Sequence, residues 1–327
     1  MDNYKGILIF LVVLGHLLFS YDYDNGVAIM NVVKFIYSIH MPLFLIISGY
    51  FSKRINKKGN FRLLVLFVLL NFSYILYDYF VYGSFDFFTI KYSSWYLLAL
   101  SLYRIIISLS SVNKFIIINK VFSLSISFVI SIIIGLFNLN NLVSKLVSYF
   151  LFFLVGYLLD NEFLERVNRR KIVNLVILVF SLLFLGMLSF SLPFSLNFYM
   201  AGSYIHYIQA VFRLIIYIID IMLFCSFLTF IPDKRVKFLT NIGRNSLSIY
   251  LGHRIFTLVI TNHFIYSDYF IWIMFFSSFL LCLIFSCRLF EGLFYKVYIC
   301  IDKVYDNKFY YFVTFVLFSV YTLIGIL

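Results

Sequence analysis

Charge is scarce in this 327-residue chain: Asp, Glu, Lys and Arg together make up 12% of it, where soluble domains carry about 25%. With 63% hydrophobic residues and a mean hydropathy of +1.00, too little polar surface remains for a water-soluble fold. That excludes a soluble catalytic module, a dinucleotide-binding unit or a nucleic-acid reader, and confines any chemistry to side chains inside or at the edge of a bilayer. Cysteine is nearly absent too. Cys225, Cys282, Cys287 and Cys300 show no C-x-x-C spacing, so they read as packed thiols, with neither disulfide nor metal expected. No internal repeat and no low-complexity linker interrupts the chain. The first apolar run has no small-residue cleavage site after it and carries His16 in its middle, so it reads as a retained span rather than a signal peptide.

What fills the chain instead is apolar runs. A spanning helix takes roughly 20 residues, and at about 30 residues per helix plus connection the length allows ten or eleven. The runs lie near 6–20, 32–51, 62–82, 92–112, 115–137, 143–160, 172–190, 207–231, 245–265, 269–290 and 309–327. The expected fold is an all-α polytopic integral membrane helical bundle, one membrane-embedded domain over 1–327. Its core ends near 290, a mixed apolar and charged segment at 291–308 lies along the inner surface, and an extra helix closes the chain at 309–327.

The net charge of +12 comes from short basic clusters between runs, not from one continuous face, so the expected surroundings are membrane lipid and not nucleic acid. With the N-terminus in the cytoplasm, 19 of the 26 Lys and Arg fall inside, among them Lys5, Lys53, Arg54, Lys57, Lys58, Arg62 and Arg244. Only Lys34, Lys91 and Lys145 lie near the outer side. The positive-inside rule therefore predicts a cytoplasmic N-terminus and a multi-pass protein of the cytoplasmic membrane.

An ionisable group in hydrocarbon costs about 2.5–3.5 kcal/mol on insertion scales, so each one asks for a partner or a function. Lys5 and His16 are eleven residues apart, three helical turns plus about 20°, which sets them on one face with a rise near ~16 Å. Asp2 stands three residues before Lys5, where it can orient the ammonium. In the second run His40 lies thirteen residues before Lys53, roughly 20 Å of helix, at nearly the depth of His16. Pro42 frees the carbonyl of Ser38 and predicts a bend beside His40, and Ser48-Gly49 follows. His253 comes nine residues after Arg244, about 14 Å above the inner edge, and brings a third histidine to that level. Polar stripes run through other spans: His206, Gln209, Arg213, Tyr217 and Asp220; Ser94, Ser101, Arg104, Ser108 and Ser111; Asn71, Tyr74 and Asp78. Each has a structural explanation beside the functional one. A single histidine serves as an interhelical hydrogen bond as readily as a catalyst, and the stripe around Arg213 and Asp220 reads first as an internal ion pair.

The order of these residues resembles a known family. Asp2-x-x-Lys5-Gly6 leading to Gly15-His16, then His40-Met41-Pro42-Leu43-Phe44-x-x-x-Ser48-Gly49-Tyr50, is similar to the opening of the acyltransferase family 3 membrane proteins. The closest likeness is to the branch with fucose 4-O-acetylase-like enzymes and bacterial polysaccharide O-acetyltransferases. Ser94-Trp95-Tyr96, Phe152-Phe153-Leu154-Val155-Gly156-Tyr157 and Ile242-Gly243-Arg244-Asn245-Ser246 resemble later segments of the family. Where the family often has arginine at the position of Lys5, this chain has lysine, which gives up the bidentate fork.

The resemblance implies transfer of an acetyl group from acetyl-CoA to a sugar hydroxyl of a bacterial surface polysaccharide or its lipid-linked precursor. Acetyl-CoA is then a donor substrate, with no permanently bound cofactor and no metal. His16 and His40 become the catalytic candidates, His16 as general base or transient acyl carrier. Lys5, Asp2, Arg54, Lys57, Lys58 and Arg244 become the donor-binding candidates, and Ser48, Trp95, Arg213 and His253 the substrate-binding ones. The rival function, a transporter or exporter of polysaccharide or lipid-linked sugar, predicts repeated halves, which the chain lacks.

Overall fold

The computed structural model describes residues 1–19, 27–53, 57–87, 89–137, 139–231, 234–264 and 269–307. Long apolar runs can satisfy their backbone only within a helix, and among the described residues every regular element is helical. In chain order these are α1 (Asp2–Leu18), α2 (Val27–Phe51), α3 (Lys57–Tyr82), α4 (Trp95–Ser108), α5 (Ser110–Ile118), α6 (Lys120–Ile133), α7 (Asn141–Leu158) and α8 (Asn161–Asn168). They continue with α9 (Lys171–Ser191), the single turn α10 (Leu196–Tyr199), α11 (Ile208–Phe230), α12 (Lys237–Arg244), α13 (Ser246–Phe264), α14 (Phe270–Phe285) and α15 (Arg288–Asp306).

Five of these, α2, α3, α7, α9 and α11, are long and apolar enough to cross a membrane, and the bent pairs α4–α5 and α14–α15 raise the number to seven if each is one span. At 17 residues α1 is at the lower end of spanning length, and α6 is shorter still. Polarity is arranged inside out. Val121, Ile172, Leu183 and Phe276 are more than half exposed, whereas Ser131, Ser148, Ser181 and Ser278 are fully buried. Such a distribution suits hydrocarbon surroundings, and the chain is an all-α, multi-pass membrane protein.

Two expectations need correction. The run at 92–112 is not one straight span: Leu109 takes an extended conformation (φ −68°, ψ 115°), and α5 leaves α4 at 84°. Asp220 also forms no ion pair with Arg213; both are buried, and the arginine turns to main-chain carbonyls instead. The segment expected along the inner surface is helical, as α15, and the expected terminal helix at 309–327 lies outside the described residues.

The chain forms two compact units. One comprises residues 1–51 and 121–287, the other 52–120 and 288–327. In the first, α1 is the central element and packs against α2, α12, α13 and α14, while α2 packs against α7, α9 and α11. Glycines set the two closest crossings. A Cβ on Gly6 would lie 2.5 Å from the Leu239 carbonyl oxygen, and one on Gly243 would collide with the Asp2 carbonyl, so α1 and α12 touch backbone to backbone. Gly49 and Gly156 do the same for α2 and α7, against the carbonyls of Phe153 and Ile46. In the second unit α3 packs against α4 and α15, with Arg62 to Asp302 at 2.8 Å and Lys58 to Asp306 at 2.9 Å.

Candidate active site

The crossing of α1 and α12 determines what stands at the N-terminal end of α1. Lys5 Nζ lies 2.9 Å from Asp2 Oδ1, as the spacing of three requires, and 4.6 Å from the centre of the Phe51 ring on α2. Arg244 Nε approaches Asp2 Oδ2 at 3.4 Å. Asn3 fastens the same end, donating from Nδ2 to the Lys234 carbonyl at 3.0 Å and accepting from the Thr240 hydroxyl at 2.6 Å. Two cations thus flank one carboxylate, and the excess positive charge is half-exposed at Lys5 and exposed at Arg244.

Three turns further along α1, three histidines and a tyrosine assemble. His16 stacks on His253 of α13 with ring centres 5.4 Å apart and planes at 27°. Its Nδ1 lies 2.8 Å from the hydroxyl of Tyr37 on α2. His40, one turn further along α2, meets Tyr37 edge to face at 4.9 Å. His16 and His40 therefore share a neighbour: Tyr37 stands against both rings. Burial separates the three histidines, because His40 and His253 are 1% and 0% exposed whereas His16 is half-buried.

One cation reaches His16 directly. Arg254 Nη1 lies 3.4 Å from the His16 carbonyl oxygen and 3.5 Å from Thr257 Oγ1. Sequence reasoning missed Tyr37 and Arg254 as members of this site. Arg254 had a signal, as an arginine within an apolar run directly after His253; Tyr37 had only its place three residues before His40.

The remaining candidates have other settings or other contacts among the described residues. Ser48 donates to the Phe44 carbonyl of its own helix at 2.8 Å. Arg213 is enclosed: its Nη2 donates to the Gly202 and Phe198 carbonyls at 2.5 and 3.3 Å, and its guanidinium lies 4.2 Å from the Tyr204 ring centre. Its contacts hold the 198–204 segment. Lys57, Lys58 and Trp95 belong to the second unit, where Lys57 is exposed, Lys58 is paired with Asp306, and Trp95 opens α4 edge-on to Tyr96 at 6.4 Å. Arg54 lies outside the described residues. Among the described residues no group of three or more His, Cys, Asp or Glu is arranged to hold a metal ion.

Comparison with known proteins brings these features under one heading. A stretch of 53 residues is 53% identical to nodulation protein NolL of Sinorhizobium fredii, and it covers 16% of this chain and 14% of that protein. No solved structure matches. The profile of the acyltransferase domain family matches residues 1–291, the whole of the first unit and most of the second up to the start of α15. The chain, a multi-pass membrane protein by its helices, therefore belongs to the acyltransferase domain family.

Proposed function

We propose that the protein transfers an acetyl group from acetyl-CoA to a sugar hydroxyl of a bacterial surface polysaccharide or its lipid-linked precursor, as in the fucose 4-O-acetylase-like branch. It would do so in the cytoplasmic membrane with its N-terminus in the cytoplasm. The observation that carries this reading is the geometry of α1: cations at its inner end, and a half-buried histidine eleven residues further along on the side that faces α2. Lys5 and Arg244 suit the phosphates of a cytoplasmic donor. The rise of roughly 16 Å from Lys5 to His16 is a length that the extended pantetheine arm covers, which brings the thioester to the histidine.

His16 takes the proton of the acceptor hydroxyl as its oxygen attacks the thioester carbonyl. Such base catalysis is worth roughly 10²- to 10⁴-fold. The adduct carries an oxyanion, and Arg254, which reaches the His16 main chain, supplies positive charge close to where that oxyanion forms. When the adduct collapses, the carbon–sulfur bond breaks and His16 returns the proton to the departing thiolate, so the histidine ends as it began. His253 supports the ring by stacking, and His40 acts at one remove, through Tyr37.

The test is the O-acetyl content of the host's surface polysaccharide by proton NMR, in cells with the intact gene, a deletion, and His16→Ala at matched membrane abundance. Loss of the same acetyl resonance in both altered strains, with glycan yield unchanged, is the expected result. Unchanged acetyl content per repeat with less glycan at the surface would overturn the reading in favour of transport.

A further inference from the structure

The Nδ1 atoms divide the three histidines. His40 Nδ1 lies 2.6 Å from the Ile36 carbonyl oxygen, and His253 Nδ1 lies 2.8 Å from that of Tyr250 and 3.1 Å from that of Ile249. A carbonyl only accepts, so both rings carry their hydrogen on Nδ1 and are locked by their own helices. His16 alone sends Nδ1 off its helix, to the hydroxyl of Tyr37. A hydroxyl both donates and accepts, so this partner is compatible with either tautomer of the ring.

We infer that Tyr37 is the positioning residue of His16: its oxygen accepts from Nδ1–H, which leaves the Nε2 lone pair to receive the proton of the acceptor hydroxyl. The inference rests on the acyl-transfer reading above and specifies how its base is held. A carboxylate is the commoner orienting partner of a catalytic histidine, but Tyr37 is 6% exposed at the depth of the histidines, where an anion is costly and a neutral phenol is not. Two further contacts hold the phenol ring. Gly15 leaves room for it, since a Cβ there would lie 3.3 Å from Tyr37 Cε2 and 3.0 Å from Ile36 Cγ2. His40, locked by Ile36, meets the same ring edge to face. During transfer the imidazolium keeps its Nδ1–H on the Tyr37 oxygen while Nε2 gains and then loses the acceptor's proton, so Tyr37 exchanges no proton with substrate and acts through His16 alone.

Tyr37→Phe keeps the ring and removes the hydroxyl. In host membranes, with acetyl-CoA varied and CoA thiol release measured, kcat is expected to fall about 10- to 100-fold, the scale on which groups that orient a functional histidine act, while KM for acetyl-CoA stays within about twofold. The second readout is ¹⁵N NMR of the full chain in nanodiscs, labelled at histidine, with the His16 signals assigned by difference from His16→Gln. In the unaltered chain Nδ1 of His16 is expected to be protonated, and in Tyr37→Phe that population falls while the His40 and His253 signals hold. An unaltered chain whose His16 carries its hydrogen only on Nε2 would overturn the inference even if Tyr37→Phe failed to fold. So would a fall in kcat with unchanged His16 nitrogens, or no fall at all. If unaltered membranes release no CoA thiol, the acyl-transfer reading fails instead, and the nitrogen signals still decide whether Tyr37 fixes the tautomer.

Discussion

Adding one methyl group at Gly6 tests whether the α1–α12 crossing builds the donor end of the site. In Gly6→Ala the new Cβ meets the Leu239 carbonyl oxygen at 2.5 Å, its carbon at 3.3 Å and the Gly243 nitrogen at 3.4 Å. A carbon and a carbonyl oxygen in contact settle at about 3.3–3.6 Å, so α12 has to retreat by roughly 1 Å. All three contacted atoms belong to the helical backbone of α12 and cannot rotate aside. Overpacking of this kind costs about 1–3 kcal/mol of stability. The functional effect comes from Arg244, whose 3.4 Å contact with Asp2 is already long and is lost after such a shift, so Lys5 and Arg244 no longer converge on one phosphate. A charge-assisted hydrogen bond is worth about 1.5–3 kcal/mol, and at 1.4 kcal/mol per factor of ten the loss of one predicts a rise in KM for acetyl-CoA of about 10- to 100-fold. Chemistry three turns away should be little changed, so kcat holds. The assay is CoA thiol release from acetyl-CoA by membranes matched for protein abundance. Gly186→Ala serves as the control, because a Cβ there meets nothing within 4 Å. If Gly6→Ala reaches normal abundance with an unaltered KM, the proposed donor site at this crossing is refuted.

Two further outcomes follow from the same geometry. Arg254→Gln removes a positive charge beside His16 and should lower kcat by about 10²-fold with little change in KM for acetyl-CoA, the cost of losing one oxyanion partner, as measured by CoA thiol release. Arg213→Met should lower the thermal unfolding midpoint in detergent and leave KM for acetyl-CoA unchanged, because Arg213 binds the carbonyls of Phe198 and Gly202 and belongs to the scaffold.

The helices were largely legible because lipid forces apolar sequence into long runs, and counting rise along two helices from a common basic edge put His16 and His253 at one level. The turn at Leu109 was not legible. No glycine and no proline marks it, and the flanking Ser108, Ser110 and Ser111 are residues that a spanning helix also accommodates. The partners of Arg213 escaped for a related reason. They are main-chain carbonyls of a segment without periodicity, and a carbonyl is the same on every residue, whereas Asp220 offered a carboxylate at a tempting spacing of seven. Tyr37 was hidden by abundance: with 27 tyrosines in the chain, a hydroxyl one helical turn before a histidine carries no pattern of its own.

The central position of α1 also bears on how the protein is made. Its neighbours are far apart along the chain: Asn3 bonds to Thr240, 237 residues later, and Arg254 reaches the carbonyl of His16 across 238. As the ribosome delivers the chain from the N-terminus, α1 enters the membrane with a lysine and a histidine well before α12 and α13 exist to cover them. Assembly of the core therefore waits for late synthesis, and α2 must shelter α1 in the meantime, with Tyr37 over His16 and Phe51 beneath Lys5. A chain cut short before residue 237 should accumulate as inserted but loosely joined helices, open to the membrane's quality-control proteases until the closing pair arrives.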